Sequence, residues 1–305
     1  MDNTILSVQK VTKKYKNQTV LDNVDLSINK SEIVGLVGPN GSGKTTIMGI
    51  IVGLIKNYEG NVLINGENIR THKKGKAKQV GCVIEAPGFY PNMTGYENLK
   101  FFSHVFGGIK SSEIDEMVKL LGLENSIHKK VKNYSLGMKQ RLGIGQAVLG
   151  YPSLLILDEP TNGLDPNIIP SIRQFIKYMA REKGLSVLIS SHILTEIEAI
   201  CDKVVFIKNG KVIEELHIDS KEVEDSIPYV FETEKAEQLQ SFLKAKSINC
   251  SIENGENVIA FLPPNEIEKV ISQIIQQGIA LRGMYKQKIS LEDRFIKSIG
   301  ENTIE

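Results

Sequence analysis

Ile5 to Val11 and Val20 to Ile28 alternate apolar and polar side chains, the period of half-buried antiparallel strands. Glu32 to Val37 is instead a nearly continuous apolar run. It leads into a glycine-rich loop and a helix beginning near Gly43. From about Glu113 to Gly150 the pattern turns helical, with Ile114, Met117, Val118, Leu120 and Leu121 expected on one face. Leu154 to Leu157 and Ser186 to Ser190 are short apolar runs of the kind buried in a parallel sheet. Ile172 to Arg181 reads as the crossover helix between them. Val204 to Ile207 and Val212 to Glu215 flank Asn209-Gly210, which predicts a tight hairpin. Beyond a charged segment, His217 to Asp225, the expected order is strand (Tyr229 to Glu232), helix (Lys235 to Lys246), strand (Asn249 to Glu253), strand (Asn257 to Leu262), helix (Asn265 to Gln277), strand (Ile279 to Tyr285). That succession fits a small ferredoxin-like module, with a last helix expected from Leu291 to Ser298.

Composition narrows the class. The chain of 305 residues suits one large α/β domain and a small appendage. A net charge of +1 gives no reason to expect a nucleic-acid partner. The three cysteines, Cys82, Cys201 and Cys250, are odd in number and far apart, which points to reduced thiols in the cytoplasm. No signal peptide is expected at Met1-Asp2-Asn3-Thr4. The most apolar stretch, Ile47 to Ile55, is about half the length that spans a bilayer. Any membrane role is therefore expected to come through another chain.

Two segments carry the chemistry. Gly38-Pro39-Asn40-Gly41-Ser42-Gly43-Lys44-Thr45 follows a predicted strand and opens a predicted helix, the setting of a phosphate-binding loop. Its glycines let backbone N–H groups turn inward, and the helix N-terminus adds positive potential. Lys44 is expected on the β- and γ-phosphates, Thr45 on Mg²⁺, and Thr46 continues the set into the helix. The second segment is Leu154 to Leu157 with Asp158-Glu159 at its carboxyl end, where ligands bind in such sheets. Asp158 is expected in the Mg²⁺ shell, and Glu159 as acceptor of a proton from attacking water.

Between them lies Tyr134-Ser135-Leu136-Gly137-Met138-Lys139-Gln140-Arg141, which begins a helix. This run resembles the signature motif of ABC ATPases, with Ser135 and Gly137 in the two most telling places, about twenty residues before the Asp-Glu pair. Leu136 and Met138 depart from the commonest residues there. In that family the signature of one subunit closes over the γ-phosphate bound by the other, so the resemblance implies a homodimer. It also implies that Asn162-Gly163-Leu164-Asp165 is the loop crossing the interface, that His192 contacts the γ-phosphate, and that Tyr15 stacks on adenine. The fold implied is a P-loop NTPase of ABC ATPase type: an α/β domain over residues 1–217 with an antiparallel β subdomain and a helical subdomain near 86–150. An accessory α+β domain is expected over 223–305.

Glu85 stands where the family normally has a Gln that ligates Mg²⁺ and orients water. A carboxylate can do the same while adding negative charge near a triphosphate. The run Glu85-Ala86-Pro87-Gly88-Phe89-Tyr90 and the ending Ser290-Leu291-Glu292-Asp293 resemble the bacitracin and lantibiotic resistance branch, ATP-binding subunits of bacterial pumps. The aromatic segment Phe89, Tyr90, Tyr96, Phe101, Phe102 and Phe106 is expected to grip a separate transmembrane permease, with about half of these rings packed internally. The subunit is then expected to be cytoplasmic and peripheral on the inner membrane face. Arg70 to Lys78 and His128 to Lys132 are basic runs, read as solvated loops in preference to lipid contacts.

Two rival classes remain. A soluble ABC ATPase of the ribosome-acting type generally carries two ATPase domains, whereas one phosphate loop is present here; the DNA-repair type needs a long heptad-bearing insertion, and only about ninety residues separate loop and signature. A switch GTPase needs an Asn-Lys-x-Asp segment, which the sequence lacks.

Overall fold

The computed structural model describes residues 3–71, 80–218 and 227–286. The first alternating segments form β1 (Thr4–Tyr15) and β2 (Gln18–Asn29), an antiparallel pair joined by β4 (Glu59–Ile64) and β5 (Glu67–Asn68) in the order β2-β1-β4-β5. Leu6, Val8, Val11, Leu21, Val24, Leu26 and Ile28 turn inward from this sheet.

The apolar runs make a second sheet, ordered β10-β9-β3-β8-β7-β6. Its members are β3 (Ile33–Val37), β6 (Val80–Val83), β7 (Leu154–Leu157), β8 (Ser186–Ser190), β9 (Lys203–Lys208) and β10 (Lys211–His217). All neighbours are parallel except the terminal β9–β10 hairpin. Residues Asn209 and Gly210 turn it at φ 49° and 76°, the double left-handed turn that suits twisted strands. That turn also braces the site: Gly210 N–H donates to Ser42 O at 3.0 Å, and Gly210 O accepts from Asp22 N–H at 2.8 Å.

Helix α1 (Lys44–Ile51) lies in one core with both sheets. Its Ile47, Met48, Ile50 and Ile51 are buried with Leu6 and Leu26 of the first sheet and Leu36, Leu154, Leu188 and Val205 of the second. Each such side chain contributes about 1.5–3 kcal/mol on burial, so the phosphate loop is anchored at both ends.

The segment expected to be helical from Glu113 to Gly150 is broken. Helix α2 (Gly95–Val105) precedes it. Within it lie α3 (Ser111–Leu120), a 3-10 turn at Val131–Asn133 and α4 (Leu136–Val148). Ile114, Met117, Val118 and Leu121 are buried as expected, but Leu120 is 38% exposed. At 100° per residue Leu120 falls about 120° round the helix from Ile114, which takes it off the buried stripe. Gly143 in α4 admits Pro87, whose Cβ would lie 2.5 Å from any Cβ added there; this close approach draws the segment after Glu85 onto α4. A capping box opens α2: Glu97 N–H donates to Thr94 Oγ1 at 3.1 Å, and Thr94 N–H donates to Glu97 Oε2 at 2.7 Å. Thr94→Ala is expected to lower unfolding stability by about 1 kcal/mol, read as a fall in urea midpoint with unchanged slope.

The crossover helix α5 (Ile169–Lys183) and the short α6 (Leu194–Ile200) complete this unit. A second compact unit spans Asp219–Lys297. It contains β11 (Ile227–Glu232), α7 (Ala236–Ala245), β12 (Cys250–Glu253), β13 (Asn257–Leu262), α8 (Ile267–Gln276) and β14 (Gly283–Lys286). The sheet order β12-β13-β11-β14, antiparallel throughout, is the ferredoxin-like arrangement. Phe231, Leu239, Leu243, Val258, Leu262 and Ile274 fill its core. The helix expected from Leu291 to Ser298 and the ending Ser290 to Asp293 lie outside the described residues, as does most of the basic run from Arg70 to Lys78. Arg70 itself stacks on the Tyr58 ring at 3.9 Å.

Candidate nucleotide site

The loop after β3 is built for close backbone approach. A Cβ at Gly38 would sit 2.1 Å from the Ile207 carbonyl oxygen and 2.7 Å from Ser42 Oγ. Gly41 and Gly43 hold φ of 76° and 108°, where a side chain strains the backbone. Lys44 Nζ donates to Gly38 O at 2.7 Å and Pro39 O at 3.2 Å. Burial pushes its pKa down, while the Glu159 and Asp158 carboxylates pull it up. The Ser42 hydroxyl is buried with no hydrogen-bond partner among the described residues. An unpaired buried hydroxyl costs roughly 1–3 kcal/mol, so a ligand oxygen at this place would satisfy it. Glycine cradle, helix N-terminus, ammonium and orphaned hydroxyl together fit a phosphate chain.

Opposite the loop, Thr45 Oγ1 donates to Asp158 Oδ2 at 2.8 Å. Ser190, the last residue of β8, donates through Oγ to Asp158 Oδ1 at 2.6 Å and accepts from Glu159 N–H at 2.8 Å. Glu159, the second residue after β7, adopts φ 47°. This turn brings its Oε2 to 2.7 Å from His192 Nδ1. Deeper in, Thr161 Oγ1 donates to Glu196 Oε2 at 2.5 Å, tying the segment after Glu159 to α6. Glu85, at φ 62° beyond β6, is exposed toward the same space. A cleft of about 590 Å³ unites Asn40, Lys44, Thr45, Glu85, Asp158 and Glu159. A hard oxygen set of one hydroxyl and one or two carboxylates, with phosphate oxygens to complete it, suits Mg²⁺. Among the described residues no cluster of three or more His, Cys, Asp or Glu offers an all-protein cage.

Tyr15, Ser135, Gly137 and Asp165 are not among the residues that line this cleft. Tyr15 ends β1 and is 47% exposed, and its register partner Gln18 lines the cleft. Ser135 is the N-cap of α4, its Oγ accepting from Met138 N–H at 3.3 Å. Gly137 is buried against Ile168, and exposed Asp165 accepts from both nitrogens of Asn167. Sequence reasoning missed Ser190, Gln18 and Val20, and named Gln140 only as part of the signature run. For Ser190 a signal existed: a hydroxyl at the carboxyl end of an apolar strand, level with Asp158 on the next one.

A family model described as ABC transporter matches residues 21–162. An uncharacterized ABC transporter ATP-binding protein of Bacillus subtilis is 39% identical, over 98% of this chain and 97% of its own. The chain belongs to the ABC transporter ATP-binding family. It is therefore an ATP-binding subunit and an ATPase, as the Asp158–Glu159 pair beside a phosphate loop leads one to expect. A bacitracin transport ATP-binding protein of Bacillus licheniformis is 37% identical over 99% of both chains. A lantibiotic transport ATP-binding protein of Streptococcus pyogenes is 41% identical over 72% of this chain and 93% of its own. Among solved structures, a dimeric ATP-binding cassette in a post-hydrolysis state, bound to ADP and Pi, superposes with a TM-score of 0.64 at 28% identity, covering 71% of this chain and all of that one. Among the described residues no helix of this ABC ATPase is long and apolar enough to cross a membrane.

Proposed function

We propose that this ABC ATPase powers a peptide-antibiotic transporter of the bacitracin or lantibiotic type through a separate transmembrane permease, working as a head-to-tail homodimer on the inner membrane face. The observation that carries the hydrolytic part is the 2.7 Å contact between Glu159 and His192, beside the Thr45–Asp158 pair and the glycine cradle. The loop N–H groups, Ser42 and Lys44 bind the phosphates, and Tyr15 receives the adenine. Thr45 and Asp158, with Glu85 as a further oxygen ligand, would hold Mg²⁺, which when bound neutralises charge on the phosphate oxygens. Glu159 takes the proton of the water whose oxygen attacks the γ-phosphorus. The bond from that phosphorus to the bridging oxygen breaks, and ADP leaves with its electron pair. His192 orients the Glu159 carboxylate. Ser135 and Gly137 at the N-terminus of α4 present N–H groups to the γ-phosphate held by the other subunit, and Asp165 lies on the loop crossing between them.

The cargo reading is supported by a match to the bacitracin transport protein that runs through the accessory region as well as the ATPase domain, here assigned to 223–305 and 1–217. Its test is antibiotic sensitivity in the natural host. Glu159→Gln is expected to lower the minimal inhibitory concentration of bacitracin or of a lantibiotic severalfold, with that of an unrelated antibiotic unchanged. Equal sensitivity of mutant and parent to both peptides would sink the cargo.

The permease contact is assigned to α2 and the segment before it. Tyr90 packs edge-on against Phe101 with ring centroids 4.9 Å apart, while Phe101 stays 44% and Val105 66% exposed. Phe102 and Phe106 are half-buried. Phe101→Asp is expected to reduce co-purification of the permease at least about tenfold, the cost of a central anchor, with ATP affinity unchanged. Undiminished recovery of the permease would move the contact elsewhere.

A further inference from the structure

Lysine is almost never buried without a partner, yet Lys13 is only 7% exposed. Its Nζ donates to the Asn57 carbonyl at 2.6 Å and lies 4.4 Å from the centroid of the Tyr15 ring. Asn57 sits beyond the end of α1, the helix whose other end is the phosphate loop. Leu21, the register partner of Lys13, packs where a Cβ on Gly43 would fall, 2.6 Å from its Cδ2. Lys13 therefore joins three things: the tip of β1, the exit of α1 and the strand that braces the loop. Lys13 and Tyr15 are two residues apart in β1, so the strand period of two sets their side chains on one face.

From this geometry we infer that Lys13 is a positioning residue for the nucleotide base. Its ammonium backs one face of the Tyr15 ring and fixes the ring plane, leaving the opposite face for adenine. The inference rests on the reading of Tyr15 as the base platform. A free tyrosine at the end of a strand loses rotamer freedom when a base stacks on it; one already held by a cation loses less, and binds correspondingly more tightly. The cation–ring attraction is strongest when the ammonium is desolvated, as here. Lys13 does not line the cleft that holds Lys44, Asp158 and Glu159, so its influence is confined to the base end.

The test uses the full chain and Lys13→Met, which keeps an apolar stem in the buried channel and removes the charge. Kd and KM for ATP are expected to rise about tenfold, the scale of a desolvated cation–π contact, with kcat within about twofold. Inhibition by inorganic tripolyphosphate, which has no base, is expected to be unchanged. Lys13→Arg is expected to restore most of the ATP affinity, and Lys13→Met placed on Tyr15→Leu to add nothing further. Equal weakening of ATP and tripolyphosphate would show a general distortion of the loop and overturn the proposal. If Tyr15→Leu weakens ATP binding and Lys13→Met does not, the Lys13 role falls while the base platform stands. If Tyr15→Leu itself leaves Kd unchanged, the base platform and the proposal fall together.

Discussion

Replacing Glu159 with Gln is expected to lower ATP turnover by about 100-fold or more, the range in which a positioned general base contributes, while ATP binding survives. Gln matches Glu in volume and can keep a hydrogen bond to His192 Nδ1, which lies 2.7 Å from the present carboxylate. Its amide has no useful proton affinity, so the attacking water keeps its proton. Phosphate contacts through Lys44 and the loop are untouched. The variant is therefore expected to bind ATP and remain in the closed dimer, since hydrolysis is the step that removes the ligand favouring closure. Light scattering with and without ATP, beside a phosphate-release assay, reads both effects. Wild-type turnover in the variant, with no ATP-dependent dimer, would remove Glu159 from the base role and weaken the two-site mechanism.

Residue pattern alone made the contiguous part of this site legible, while His192, Tyr15 and Ser135 were named through the family resemblance. Gly38 to Thr46 and Leu154 to Glu159 state their own context, a strand before each and ligand groups at its carboxyl end. The contacts that make Glu159 useful are not contiguous. Ser190 lies 31 residues from Glu159 and His192 lies 33, and their approach depends on β7 pairing with β8 in a register that sets Leu157 beside Ile189. Periodicity within a segment carries no information on that register. The buried Thr161–Glu196 bond is a second case, since neither residue falls in an unusual local pattern. The end of β1 was hidden for another reason. The inward position after Val11 is held by Lys13, so the apolar alternation stops at Val11 while the strand continues to Tyr15. Ser135 shows the reverse limit. As an N-cap it satisfies a purely local rule, and its hydroxyl already accepts the Met138 N–H. Only the family resemblance separates that duty from a contact across a dimer.

The phosphate loop offers the second large effect, and it separates close packing from backbone strain. At Gly38, an added methyl would lie 2.1 Å from the carbonyl oxygen of Ile207, a backbone atom that cannot swing aside. Relief needs a movement of the loop away from β9, and β9 is held by β3 on one side and β10 on the other. Gly38→Ala is thus expected to cost about 3 kcal/mol of stability, the upper range for overpacking, and to weaken ATP binding at least about 100-fold. The second effect follows because Lys44 Nζ is held by the Gly38 carbonyl and moves with it. Gly41 makes the comparison. Among the described residues, none apart from its chain neighbours comes within 4 Å of a Cβ there, and its φ of 76° is what opposes a side chain. Gly41→Ala is expected to cost about 1–2 kcal/mol, the left-handed backbone penalty alone. Thermal unfolding and ATP titration of the two variants side by side give the answer. Equal losses at both positions would mean that backbone angle governs the loop; a large loss at Gly38 alone would assign its function to the close approach of two main chains.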